Sequence, residues 1–195
     1  SARWTQRGLE VFRRELPVQV LGDGGYFERS PMYHAIVLAG LLDVLEVLPA
    51  EHPDRPALAE TASRMLGFLL SATHPDGGIA LLNDSTLGTA PSTAEIAARA
   101  AGLGVSGAAR TAFPETGLFV HRGENFYLVV DGGPIGPDYL PAHGHADALG
   151  YELSLPGPLP ALRLLLDGHR LPHWQKSWRQ SNARPHRPPW SNRPR

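Results

Sequence analysis

The chain has 195 residues, a formal net charge of -1, 42% apolar residues and no cysteine. That composition supports a packed core, gives no overall charge for nucleic acid or an anionic membrane surface, and excludes disulfides and thiolate metal sites. The longest apolar stretch, Ala35 to Leu48, is broken by Asp43 and Glu46 and is too short and polar for membrane insertion; Ser1-Ala2-Arg3-Trp4 does not read as a signal peptide.

In chain order, Leu9, Phe12 and Leu16 recur at helical spacing between charged residues, which predicts an amphipathic helix from Trp4 to Leu16, ended by Pro17. Leu21 to Arg29 reads as a glycine-rich loop. Ser30-Pro31 reads as an N-cap followed by proline at the first helical position. The next helix, Met32 to Leu48, is apolar almost all round, which predicts burial on several sides. Pro56 to Ala72 forms another helix, with Leu58, Ala62, Met65, Leu66 and Leu69 on one face. Thr73 to Ser92 is a long polar loop, a length often tied to function. A short helix, Thr93 to Ala101, closes the helical part.

Beyond Phe113 the period changes to that of strands. Gly117–Arg122 and Asn125–Asp131 read as a hairpin joined by Gly123-Glu124, and Ala146–Leu155 as a third strand after the loop Gly132–Gly144. Helices followed by strands give an α+β chain of two parts, residues 1–105 and 106–160, with the boundary near residues 102–113. Residues 161–195 differ. They hold seven Arg and one Lys against one acid, Asp167, with three Trp and proline-rich runs. Two readings fit: a basic tail for an acidic partner, or GC-rich DNA translated out of frame.

Three segments carry candidate chemistry. Asp23 to His34 packs acids, Arg29, two tyrosines and a histidine around a helix start, a place that favours anions. The plain alternative pairs Glu28 with Arg29 at the surface and leaves Tyr33 and His34 in the core. His143-Gly144-His145-Ala146-Asp147 puts two histidines on one side of an extended segment, where they suit a metal or acid–base work; a surface turn is the plain alternative. Leu82-Asn83-Asp84-Ser85 suits ordinary Asx turn chemistry.

Taken together the segments are specific. DGGYFERSPMYHAIVLAGLLDVLEVL resembles the end of the helical toroid domain of heparinase II/III-like proteins. LLNDSTLGTAPSTAEIAARAAGLG and FPETGLFVHRGENFYLVVDGGPIGPDYLPAHGHADALGYELSL resemble that family's linker and the opening of its β-sandwich. The matches run in order over about residues 3–157. The resemblance implies the C-terminal part of an (α/α) toroid followed by the start of an antiparallel β-sandwich, in a periplasmic or cell-envelope lyase acting on an acidic polysaccharide such as heparin, heparan sulfate or alginate.

Such enzymes cleave by β-elimination. A base removes the C5 proton of a uronate whose carboxylate must be neutralised, and the C4 oxygen leaves. The resemblance implies Tyr33 as base, its pKa lowered from about 10 by positive charge, with His143 as partner. Glu28, Arg29, His34 and Tyr26 would shape the cleft, Tyr26 serving as second-choice base, and His145 would bind a structural zinc. The family's upstream Asn-His pair has no counterpart before Tyr26, and the later metal-binding histidine is not identifiable among His169, His173 and His186, although Asp167 suits an acidic ligand. The chain therefore reads as a fragment, inactive or poorly active alone. A non-catalytic module binding acidic polysaccharide is one rival reading. A hydrolase pairing Glu28 with Asp23 or Asp84 is another.

Overall fold

The computed structural model describes residues 2–134 and 149–155 and the backbone of residues 162–166. Among these residues four helices come first: α1 (Ala2–Gln19), α2 (Pro31–Val47), α3 (Arg55–Ser71) and α4 (Thr93–Gly102). Five strands follow among the described residues: β1 (Ala112–Phe113), β2 (Leu118–Arg122), β3 (Tyr127–Asp131), β4 (Tyr151–Leu155) and β5 (Leu162–Leu166). They form one antiparallel sheet in the order β1-β2-β3-β4-β5. The α+β order expected from the change of period is thus observed.

Local chemistry explains the helix boundaries. The Ser30 hydroxyl accepts from Tyr33 N at 3.3 Å and Pro31 opens α2, as the sequence signals. Ser92 and Glu95 form a reciprocal capping box on α4. Pro17 does not end α1, contrary to expectation: the helix runs on to Gln19, and Val20 N still bonds Leu16 O at 2.9 Å. Proline deletes only the one hydrogen bond its nitrogen would donate, a modest loss so near a helix end. The hairpin turn is also longer than expected. Arg122 pairs with Tyr127, and Gly123 N bonds Phe126 O, so Asn125 and Phe126 belong to the turn rather than to β3.

The helical core is built on α2 and α3. Leu38, Leu41, Leu42 and Leu45 of α2 pack with Met65 and Leu69 of α3, all almost wholly buried. Ile36 and Val47 are nevertheless exposed, so α2 is not covered on every side. Arg55 of α3 donates to the Leu45 and Leu48 carbonyls and so terminates α2.

A second core joins the helices to the sheet. Leu118, Val120, Tyr127 and Val129 alternate onto the inner face, as a two-residue period requires, and meet Phe68 and Phe113. Burying each of these large side chains contributes about 1.5–3 kcal/mol. Arg122 reinforces the joint by donating to the Leu70 and Thr73 carbonyls at 2.8 Å beside the end of α3, while its guanidinium lies 4.5 Å over the Tyr127 ring. Among the described residues, no helix is long and apolar enough to cross a membrane.

Candidate functional site

The polar loop before α2 serves two purposes, and the structure separates them. Its first half fastens helices to sheet. Asp23 is buried and accepts from Thr116 N at 2.8 Å, Thr116 Oγ1 at 2.7 Å and Gly25 N at 3.1 Å. Gly22 N donates to Glu115 Oε2 at 2.9 Å. Gly25 has to be glycine here, because a Cβ would sit 1.9 Å from Thr116 Oγ1. In the second half Glu28, Arg29 and Tyr33 are half-buried at the α2 N-terminus, while Ser30, Pro31 and Met32 between them are buried and meet the 81–85 loop.

That loop is wrapped onto the helix start. Ser85 Oγ lies 2.9 Å from Ser30 Oγ and accepts from Met32 N at 3.1 Å. Asn83 Nδ2 donates to the Arg29 carbonyl at 3.1 Å. Both residues of this last contact are left-handed, Arg29 at φ 58° and Asn83 at φ 52°. Asparagine tolerates that conformation; for arginine it costs roughly 1 kcal/mol or more, held in place by the surrounding bonds. Asp84 lies between the two clamps, its carboxylate 3.5 Å from the Tyr33 hydroxyl.

The electrostatics around Tyr33 oppose the expectation of a lowered pKa. Desolvation, then the charges of Asp84 and Glu28, raise the phenol above its usual 10. The cation nearest in sequence, Arg29, is turned towards the joint. Its Nε donates to the Thr116 carbonyl at 2.9 Å, and burial lowers its pKa against the opposing effect of Asp131 and Asp23. Arg29 therefore holds the junction and is not paired with Glu28 on the surface.

Two expected cleft residues are core residues. His34 is fully buried, its ring 4.6 Å from that of Phe68 at a tilt of 38°, with Nε2 bonded to the Met65 carbonyl at 2.8 Å. A histidine one position after Tyr33 on a helix faces a different direction, here into the α2–α3 contact. Tyr26 is also largely buried, edge-on to Phe27 at 4.8 Å, with its backbone bridged to Val20. Its burial distinguishes it from the half-buried Tyr33. Asp23, held by three donors, is likewise removed from any carboxylate pair, and among the described residues Glu28 and Asp84 are the acids that act on Tyr33. His143, His145 and Asp167 lie outside the described residues. Among the described residues, no group of three His, Cys, Asp or Glu side chains converges as a metal site would require.

Sequence reading missed one buried cluster altogether. His74 Nδ1 lies 2.6 Å from Ser154 Oγ, and its Nε2 lies 3.0 Å from Glu152 Oε2 without meeting hydrogen-bond geometry. Glu152 Oε1 accepts from Leu81 N. The only signal in the sequence was the polar Glu152 and Ser154 alternating with Tyr151, Leu153 and Leu155.

Comparison with known proteins decides the family. Residues 1–102 match the model described as the heparinase II/III N-terminus, and residues 106–158 match heparinase II/III-like, C-terminal. The chain belongs to the heparinase II/III family. A heparin-sulfate lyase of Bacteroides stercoris is 32% identical over 85 residues, covering 39% of this chain and 12% of that protein. A heparin-sulfate lyase of Pedobacter heparinus is 32% identical over 90 residues, covering 44% of the chain and 13% of that protein. The chain thus spans about an eighth of these relatives. In structure it resembles a heparinase III gene product (TM-score 0.64, 23% identity) and the heparan sulfate lyase HepC from Pedobacter heparinus (TM-score 0.60, 23% identity). Each likeness covers 79% of this chain and 27% of the other, and at these identities it speaks for the fold alone.

Proposed function

We propose that the chain is part of a polysaccharide lyase that cleaves a uronate-containing polymer by β-elimination, its helices ending an (α/α) toroid and its sheet opening a β-sandwich. The observation that carries this reading is the half-exposed Tyr33 phenol at the α2 N-terminus, in a chain of this family. Heparan sulfate, heparin and alginate are the substrates of choice, each offering a carboxylate next to an acidic C5 proton.

In the proposed step the C5 proton moves to a base, the C5–H electrons form the C4–C5 double bond, and the C4–O bond breaks. The leaving oxygen takes a proton. For Tyr33 to act as the base it must first release its own proton, and Asp84 stands 3.5 Å away as acceptor. In its protonated form Tyr33 is suited to the later task of supplying the leaving oxygen. His143 is the proposed partner that neutralises the substrate carboxylate. His145 is the proposed ligand of a structural zinc, which would brace the sheet; no step is assigned to the metal.

The test is incubation of the chain, and of the protein containing it, with each polymer while following the ultraviolet absorbance of the unsaturated product. The expected absorbance is lost in Tyr33→Phe and in His143→Ala. Activity untouched by both substitutions overturns the assignment, and products lacking the double bond point to hydrolysis by Glu28 and Asp84. Retention on acidic polymer without product, from the chain and from the protein containing it, supports a binding module instead.

A further inference from the structure

Asp84 belongs to a loop with two sets of anchors. Asn83 and Ser85 tie it to the start of α2, as described above. The other anchor comes from the sheet: the side chain of Glu152, on β4, reaches across the joint to Leu81 N. Glu152 is almost fully buried, and so is His74 beside it. Placing a carboxylate in such a site is costly unless it is matched by donors or an opposite charge. An apolar residue at position 152 would continue the inner face of the sheet at less cost. The cluster therefore has a use beyond packing, and through Leu81 N it holds the loop that carries Asp84.

We infer that Glu152 is a positioning residue for Tyr33, acting through the backbone of the 81–85 loop to set Asp84 against the phenol. The inference rests on the lyase reading only for its purpose. Its geometry stands on the contacts Glu152–Leu81, Asp84–Tyr33 and His74–Glu152. Among the described residues the acids acting on Tyr33 are Asp84 from the loop and Glu28 from the segment before α2. Only the first is held by Glu152, so displacement of the loop changes one of these two charges and leaves the other.

The test uses the full chain carrying 3-fluorotyrosine at position 33, whose phenol titrates at lower pH than that of tyrosine and reports its state by fluorine NMR. Four variants are compared with this parent. Asp84→Asn removes the charge next to the phenol. Glu152→Asp keeps the buried charge but withdraws it by one methylene from Leu81 N. Glu152→Gln keeps an oxygen within reach of Leu81 N but removes the charge. Glu152→Ala removes both and serves only if circular dichroism shows it folded.

The expected result is a lower phenol midpoint in Asp84→Asn and Glu152→Asp, with the parent midpoint in Glu152→Gln. That pattern separates reach from charge, which a generally loosened fold would not do. A parent midpoint in Glu152→Asp, shared by a folded Glu152→Ala, overturns the inference. A parent midpoint in Asp84→Asn also overturns it, because Asp84 would then not act on Tyr33 at all. None of these readings requires product formation. Absence of lyase activity from the protein containing this chain, together with the expected titration pattern in the chain, therefore refutes the functional reading while leaving the positioning role in place. Where activity is present, Glu152→Asp lowers kcat several-fold with KM unchanged, and Glu152→Gln restores it.

Discussion

His34 gives a pH dependence of stability whose size can be worked out. Its ring is wholly buried against Phe68, Nε2 bonds the Met65 carbonyl, and Nδ1 has no hydrogen-bond partner among the described residues. A second proton would have to be buried without an acceptor. Desolvation accordingly pushes the folded-state pKa from 6.5 down to about 4. The unfolded chain binds this proton below about pH 6.5 and the folded chain only near pH 4, so the unfolded state gains protons first on acidification. Stability is therefore intact above pH 6.5 and is lost as pH falls from there towards 4. Integrated between pH 7 and pH 4.5, this one group removes about 2–3 kcal/mol. Urea unfolding followed by far-ultraviolet circular dichroism measures it, with His34→Gln as the comparison, since glutamine can donate to Met65 O but does not titrate. The variant is less stable at pH 7 but loses about 2 kcal/mol less on acidification than the native chain. Equal losses in the two proteins would falsify the assignment of His34 to a neutral, buried state.

Other substitutions probe the joint and the caps. Asp23→Ala orphans the Thr116 and Gly25 donors at a buried site and costs about 3 kcal/mol or more in urea unfolding, while Thr116→Val costs less; their double-mutant cycle shows coupling above about 0.5 kcal/mol. Gly25→Ala drives a methyl group into Thr116 and costs about 1–3 kcal/mol or more, seen as loss of soluble chain or a lower midpoint. Ser92→Ala breaks the α4 capping box at the surface and costs only about 1 kcal/mol, with no effect on any activity.

The sequence by itself determined the element types and the family. The change from a 3.6-residue to a 2-residue period marks where helices give way to sheet, and Ser30-Pro31 and Ser92 fix two helix starts by chemistry confined to a few neighbouring residues. Those are local signals, and local signals survive in a string of letters. Pro17 shows their limit, since the same residue stops a helix or is tolerated according to how much helix remains beyond it. The two-residue β1 was too short to carry any period.

Tertiary structure decided which polar residues face solvent and which hold the molecule together. Asp23, Arg29 and His34 look alike in sequence to Glu28 and Tyr33, for all crowd one helix start. Contacts with Thr116, 93 residues from Asp23, and with Met65, 31 residues from His34, pull the first group inward and leave the second half-exposed. Asp84 and Glu152 gain their meaning in the same way, from partners 51 and 71 residues away. Burial and partner identity are set by long-range packing, whereas the readable periods and caps are set within a few residues.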